Sequence, residues 1–400
     1  MGLQSTQSPA AASPQRLAVV LSHPIQYYAP WFRRIAAEAS LLTRVFYLSD
    51  HGVASQQDAQ FSQTFAWDTD LLSGYDHEFV PNSAKHPDVT RFQGLKNPRL
   101  RQALGSFKPD ALLLFGYAYR PHLGLLMRRP APVIFRGDSH LLGGPPPSRL
   151  KRWLLNRIYA RCAAFLPVGR ANADYFRHYG VPEAKLFPAP HCVDQSHFAI
   201  TSTRQAEAAQ LRASLHIPST ARVALFAGKL MPKKRPDLLL AAFIQARAPN
   251  AHLVFSGDGE MLESLKAVAA GNPHIHFLPF ANQSAMPARY LLGDVFVLPS
   301  EGRHETWGLA TNEAMHLERP VILSDHVGCH ADLLIPGQTG WLFPAGDQAA
   351  LAGVLHEALS LPQEKLATMG RAAAHHAAAF NYDNATAGLL AAVKSVARTS

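Results

Sequence analysis

Cysteine is scarce, with three residues in 400, and Cys162, Cys192 and Cys329 stand too far apart to form a metal clip or a redox pair. Buried thiols in a reducing compartment are the expected reading. No apolar run approaches the ~18 residues that a membrane-crossing helix needs. The first fourteen residues, MGLQSTQSPAAASP, lack the apolar stretch of a secretory signal and are expected to form a flexible tail (1–14). Their Met-Gly start with Thr6 also fits a lipidation pattern, but that pattern is short and common. No glycine occurs between residues 21 and 30, so the Gly-x-Gly-x-x-Gly turn of a nicotinamide dehydrogenase is missing from the first strand–helix junction. No Asp-x-Asp is well placed after a strand, and the twenty histidines show no ligand pair on a clear helix face. Neither a bound metal nor a cofactor is therefore expected. Acidic residues are in deficit, 29 against 38 Lys and Arg, which gives a net charge of +9 and favours anionic partners. Nucleic acid is excluded from these, because no zinc-finger or RNA-binding signature is present.

What is present is apolar substance: 48% hydrophobic residues and only 17% charged, enough to bury large cores. A chain of this length suits two domains of about 150–200 residues. Short apolar runs alternate with amphipathic segments. In the first half the expected strands are 16–22, 43–48, 111–115 and 133–135, with helices over 31–39 and 149–162. In the second half the expected strands are 222–227, 252–256, 274–278, 295–298 and 321–323. Helices are expected over 237–246 and 260–270, and again in the Ala-rich tail from Arg371. Continuous apolar runs of this length suit parallel strands buried on both faces. The fold class is therefore α/β: two Rossmann-like doubly wound domains facing across a cleft. The expected division is 15–198 for a first Rossmann-like domain and 199–375 for a second, with 376–400 a C-terminal helix returning to the first. Ligands bind such sheets at the carboxyl ends of the strands.

Two constellations carry chemistry. Gly228-Lys229-Leu230-Met231-Pro232-Lys233-Lys234-Arg235 follows a strand and precedes a helix, placing four cations where backbone amides and a helix start already favour a diphosphate. Read alone, it is equally a solvated basic turn. The second, Glu301 to Met315, holds Glu305 and Glu313 eight residues apart around a helix start at Thr306–Gly308. On one helix axis that spacing is roughly 12 Å, about the span from a hexose across a diphosphate to a ribose. Carboxylates accept from paired sugar hydroxyls. Two surface acids on a helix would look the same.

The order of these pieces decides between the readings. The stretches LFAGKLMPKKRPDLLLAAF (225–243), HLVFSGDGEMLESL (252–265), FLPFANQSAMPARYLLGDVFVLPS (277–300), ETWGLATNEAM (305–315) and RPVILSDHVGCHADLLIPGQTGWLFPAGD (319–347) run in the sequence order of a known family. They resemble the retaining glycosyltransferases that carry a "glycosyl transferases group 1" C-terminal domain on the GT-B fold, family 4-like. The resemblance implies that Lys229 and Lys234 neutralise the donor diphosphate, Glu305 meets the donor sugar and Glu313 the ribose. It further implies that Gly228, Asp258 and Gly259 approach the nucleotide, and that Thr306, Trp307, Gly308 and Leu309 present the phosphate site. Cys329, His191-Cys192 and Pro279 depart from the family's usual glycines and Asn-Gly, which bears on loop shape and donor choice.

The first half is less diagnostic. SHPIQYYAPWF (22–32) resembles a subset with a His-Pro-Ile-Gln start, making His23 and Gln26 acceptor-side candidates. Asp138 and His140 in RGDSH are candidates to position or polarise the acceptor hydroxyl; a helix cap or a loop histidine is the plainer alternative. Tyr117 is a weaker acceptor-side candidate, and Arg120 weaker still. The reading is an EC 2.4 enzyme that moves a sugar from a UDP- or GDP-sugar to a saccharide or lipid-linked acceptor with retention, in polysaccharide or glycolipid assembly. It is placed in the cytoplasm, with peripheral contact at an anionic inner membrane face. A nucleotide-sugar epimerase or a non-catalytic sugar-nucleotide-binding protein is the alternative on the same fold.

Overall fold

The computed structural model describes residues 13–53, 56–58, 63–65 and 67–397. Most of the expected tail at the N-terminus lies outside them. The first domain runs β1 (Gln15–Leu21), α1 (Ala29–Ala36), β2 (Leu41–Tyr47), β3 (Gln56–Asp58), β4 (Gln63–Phe65), β5 (His77–Phe79), α2 (Leu100–Phe107), β6 (Ala111–Phe115), α3 (Arg120–Arg128), β7 (Val133–Arg136), α4 (Arg149–Tyr159), β8 (Ala164–Phe165) and α5 (Arg170–His178). The second runs α6 (Ser202–Ser214), β9 (Arg222–Ala227), α7 (Pro236–Ala246), β10 (Ala251–Ser256), α8 (Leu262–Ala269), β11 (Ile275–Leu278), α9 (Met286–Leu292), β12 (Val295–Leu298), α10 (Leu309–His316), β13 (Val321–Ser324), α11 (His330–Leu333), β14 (Gly340–Phe343), α12 (Gln348–Ser360) and α13 (Gln363–Ala377). A last helix, α14 (Tyr382–Ala397), follows.

Each domain holds a six-stranded parallel sheet, ordered β5-β2-β1-β6-β7-β8 and β11-β10-β9-β12-β13-β14. Counted within each sheet, both follow 3-2-1-4-5-6, the order of the doubly wound nucleotide-binding fold. The reversal of strand order beside β1 and beside β9 opens a crevice at the strand ends. Buried strands such as ALLLF in β6 and VFVL in β12 read as unbroken apolar runs because helices cover both faces. In the first sheet, α2, α3, α4 and α5 share one core with one face, while α1 and α14 cover the other.

The sequence misplaces some ends. The helix expected over 31–39 starts at Ala29, because Pro30 fits the first helical turn, and it stops at Ala36. The Ala-rich tail is two helices, α13 and α14, rather than one. Among the described residues no helix is long and apolar enough to cross a membrane.

Candidate functional site

The cleft between the domains encloses a cavity of about 410 Å³ at the carboxyl ends of both sheets. Ala227 and Gly228 reach it from the end of β9, Ser256 and Gly257 from β10, Glu305 to Gly308 from the loop after β12, Leu309 and Ala310 from the start of α10, and Gln26 and Asp138 from the loops after β1 and β7. Of the residues singled out in the sequence, Gln26, Asp138, Gly228, Lys229, Lys234, Glu305, Thr306, Trp307, Gly308, Leu309 and Glu313 share this wall.

Backbone economy shapes the second-domain side of the cavity. A Cβ on Gly257 would lie 2.0 Å from the Gly228 carbonyl oxygen, so the turns after β9 and β10 touch main chain to main chain. Gly308 caps α10 with φ +95°, a conformation that glycine adopts without strain. The first amides of any helix lack intrahelical partners, and here they open onto a cavity that also holds two lysines.

Lys234 Nζ lies 2.6 Å from Glu305 Oε2, and both side chains are largely buried. Ser300 Oγ donates to the same carboxylate oxygen at 2.9 Å. An ammonium has three donors, so two of Lys234's remain for a ligand, and Glu305 keeps its second oxygen. Glu305 does not stand on a helix, contrary to the spacing argument. It lies in the loop before α10, because the left-handed Gly308 starts the helix only at Leu309. The idea of two acids along one axis therefore fails, although both still face the same cavity.

Glu313 is fully inside α10 and buried. It accepts from Tyr27 Oη at 2.9 Å and from Tyr290 Oη at 2.5 Å. Burial pushes its pKa from 4.5 to about 7, while the two tyrosine hydrogen bonds and the Lys234 charge pull the other way. Tyr27 comes from the opposite domain, so the carboxylate is closed over by a first-domain side chain. Asp138 also crosses the cleft, accepting from Thr306 Oγ1 at 2.7 Å.

Several candidates are not on the wall. His140 is buried; the Leu142 amide donates to its Nδ1 at 3.1 Å, so its proton sits on Nε2, which donates to the Glu305 carbonyl at 3.1 Å. Both nitrogens are thus engaged, Nδ1 within its own loop and Nε2 across the cleft, and burial lowers its pKa; the ring ties the domains together beside the cavity. His23 packs against His51 and Ser22, and its pKa is lowered to about 4 by burial and then by His51. Tyr117 stacks on Phe135, turned into the first core. Arg120 opens α3 and lines a separate groove between α2 and α3. Asp258 and Gly259 brace the β9 turn instead of facing the cavity: Leu230 N donates to the Asp258 carbonyl, and Gly259 has no room for a Cβ against Leu230.

Other wall residues were given no role by the sequence: Tyr27, Tyr28, Gln283, Met286 and Tyr290, while His191 was singled out only as a departure from the family's Asn. Tyr27 and Tyr28 sat within a stretch already singled out, and two adjacent tyrosines beside a strand end were the available signal. His191 owes its place to tertiary packing, stacked with Tyr28 and 5.8 Å from the Trp307 ring. The three cysteines are free and buried, and burial raises each thiol. Among the described residues no group of three or more His, Cys, Asp or Glu is arranged to hold a metal.

Comparison with known proteins agrees with this geometry. A D-inositol 3-phosphate glycosyltransferase of Streptomyces avermitilis is 32% identical over 226 residues, which is 53% of this chain and 47% of that protein. One from Mycobacterium avium is 30% identical over 195 residues, 47% of this chain and 45% of that protein. The chain thus spans about half the length of the curated relatives it matches. Among solved structures, Anabaena HepE in complex with UDP and glucose gives a TM-score of 0.70 at 15% identity, covering 95% of this chain and 100% of that one. Sucrose-phosphate synthase from Thermosynechococcus elongatus gives 0.71 at 16%, covering 96% and 100%. At these identities the likeness is one of fold. The model described as "Glycosyl transferases group 1" matches residues 207–376, and the second domain, which holds Lys229, Lys234, Glu305 and Glu313, belongs to that family.

Proposed function

We propose that the protein transfers a sugar from a nucleotide diphosphate sugar to an acceptor hydroxyl with retention of configuration. The observation that carries this reading is the single cavity in which Lys229, Lys234, the start of α10 and two glutamates meet Asp138 and Gln26 of the facing domain. Lys234, steadied by Glu305, and the α10 amides hold the diphosphate and stabilise the charge that develops as it leaves. Preorganised stabilisation of this kind is usually the largest catalytic term. The free oxygen of Glu305 meets the donor sugar. Glu313 takes the ribose hydroxyls once Tyr27 gives way. The departing phosphate accepts the acceptor's proton on the same face. Asp138, at the end of β7, positions the acceptor through the first-domain wall.

HepE structures hold UDP, or UDP-glucose, in their complexes; a UDP-sugar is accordingly the first donor to test here, with GDP-sugars beside it. The acceptor is a saccharide or a lipid-linked one, and the setting is the cytoplasmic assembly of polysaccharide or glycolipid. The test is slow donor hydrolysis, measured for UDP- and GDP-sugars with the wild type, Lys234→Ala and Glu305→Ala. The reading expects hydrolysis that both substitutions weaken or abolish. Equal hydrolysis by all three proteins, or thermal stabilisation by no nucleotide at all, defeats it.

A further inference from the structure

The net charge of +9 hides where the charge sits. Residues 91–161 contain fourteen Lys and Arg against two Asp and no Glu, a surplus of twelve, so the rest of the chain is net negative by three. Twelve of those fourteen cations are exposed. Among the described residues only Arg91 of the twelve has an acid within ion-pair distance. Among the described residues, the same stretch holds five of the ten large exposed apolar side chains: Phe92, Met127, Leu150, Trp153 and Leu154.

The two properties converge on α4. Its sequence, RLKRWLLNRIY, has no acid. Leu155 and Tyr159 seat it on the core. On the opposite side Leu150, Trp153, Leu154 and Arg157 fall at i, i+3, i+4 and i+7, one stripe along the helix. Leu150 is 73% exposed and Trp153 56%, and Arg157 lies over the Trp153 ring at 5.2 Å. This helix thus has two apolar faces, and only one of them is covered by the fold. Met127, at the end of the neighbouring α3, extends the outer patch; Arg161 donates to its carbonyl.

We propose that the outer face of α4, with the basic surface of α2 and α3 around it, docks on an anionic lipid bilayer. Leu150, Trp153 and Leu154 enter the headgroup–acyl boundary while the flanking guanidinium and ammonium groups meet lipid phosphates. Other occupants fit less well. A second copy meeting face to face would set twelve cations against twelve. A nucleic acid would satisfy the cations but leave the Leu-Trp-Leu stripe with nothing apolar to meet. The position of α4 supports the same occupant. The loop from Asp138, on the cavity wall, leads to the Ser148 cap of α4 and touches the second domain on the way, where Gly143 meets His326 and Arg303 donates to the Pro145 carbonyl. A docked α4 therefore holds the mouth of the cleft beside the bilayer. That this delivers a lipid-linked acceptor rests on the transfer reading of the cleft; the docking itself does not.

The test is co-sedimentation of the full chain with phosphatidylcholine vesicles with and without phosphatidylglycerol. It compares the wild type with a Leu150→Ser, Trp153→Ser, Leu154→Ser triple variant, and it includes quenching by brominated lipid for the wild type and Trp153→Phe. The expected result is binding to anionic vesicles only, weakened about tenfold or more in the triple variant, with the quenching lost in Trp153→Phe. Donor hydrolysis in solution should be equal in the wild type and the triple variant, which shows that the variant is folded. Absence of vesicle binding, or binding that the triple variant retains, overturns the proposal. So does a patch that instead mediates self-association or duplex binding without vesicles. If hydrolysis is absent throughout but docking follows the stripe, the transfer reading fails and the membrane face stands.

Discussion

The two walls of the cleft are built on the same strand order but by different means. The second-domain wall is made of groups whose chemistry is tied to the chain direction: glycine turns at strand ends, lysines beside them and a helix start. The first-domain wall is made of side chains that reach across, namely Tyr27 to Glu313 and Asp138 to Thr306, with His140 to the Glu305 carbonyl just beyond the cavity. On the proposed reading one wall binds and the other closes over it. A carboxylate alone shows the difference. Glu305, beside Lys234, has a cationic partner within its own domain, whereas Glu313 is sealed in by a tyrosine from the other and held near pH 7.

That contrast is broken most severely by Lys234→Ala, which removes the ammonium and leaves Glu305 without its cation. Turnover of the donor should fall on the order of 10²–10³-fold, as for loss of one preorganised donor, and a kinetic comparison at saturating donor measures it. Next is Glu313→Gln. Because the folded pKa is raised, the native state keeps a proton that the unfolded chain has lost. Stability therefore falls as pH rises from about 4.5 to about 7. The amide should flatten that slope and stabilise the protein at pH 8 by up to roughly 3 kcal/mol, read from urea melts across pH. In the wild type, nucleotide affinity should rise as pH passes about 7 and the acid ionises; that rise should vanish in Glu313→Gln, as titration calorimetry would report.

On the closing wall the effects are smaller. His140→Ala should cost about 1–3 kcal/mol of stability through the orphaned backbone partners, yet leave the pH profile of turnover unmoved, unlike loss of a general acid. Tyr27→Phe should tighten nucleotide binding by about 2- to 10-fold, since one competitor for Glu313 is gone. Weaker binding instead would mean that the tyrosine hydroxyl belongs to the ligand site and not to a cover.

The same contrast explains what could be read in advance. Most strands and the glycine turns are written locally, in apolar run length and in glycine beside lysine, so four strands of the first sheet, five of the second and the turn at Gly228–Lys234 were legible, whereas the short β5, β8 and β14 were not. What was not legible depends on distant packing. Nothing near His140 signals that the Leu142 amide and the Glu305 carbonyl occupy its ring. The helix start at Thr306–Gly308 was legible, but the spacing argument still set Glu305 on the helix axis that it precedes. Whole-chain charge also masked its own segregation, because a net +9 does not show that residues 91–161 alone carry a surplus of twelve while the rest is net negative by three.

The polypeptide passes between the domains twice: once before α6, and again between α13 and α14, where the final helix rejoins the first core. The two passages touch, with Gln195 Nε2 donating to the Ala378 carbonyl at 3.2 Å, and Tyr382 Oη reaches the Tyr27 carbonyl. Two tethers side by side fix an axis where a lone linker would leave a swivel. Any parting of the lobes is thereby confined to rotation about that axis, with little room to slide or twist, and closure about it would return Tyr27 and Asp138 to the same partners.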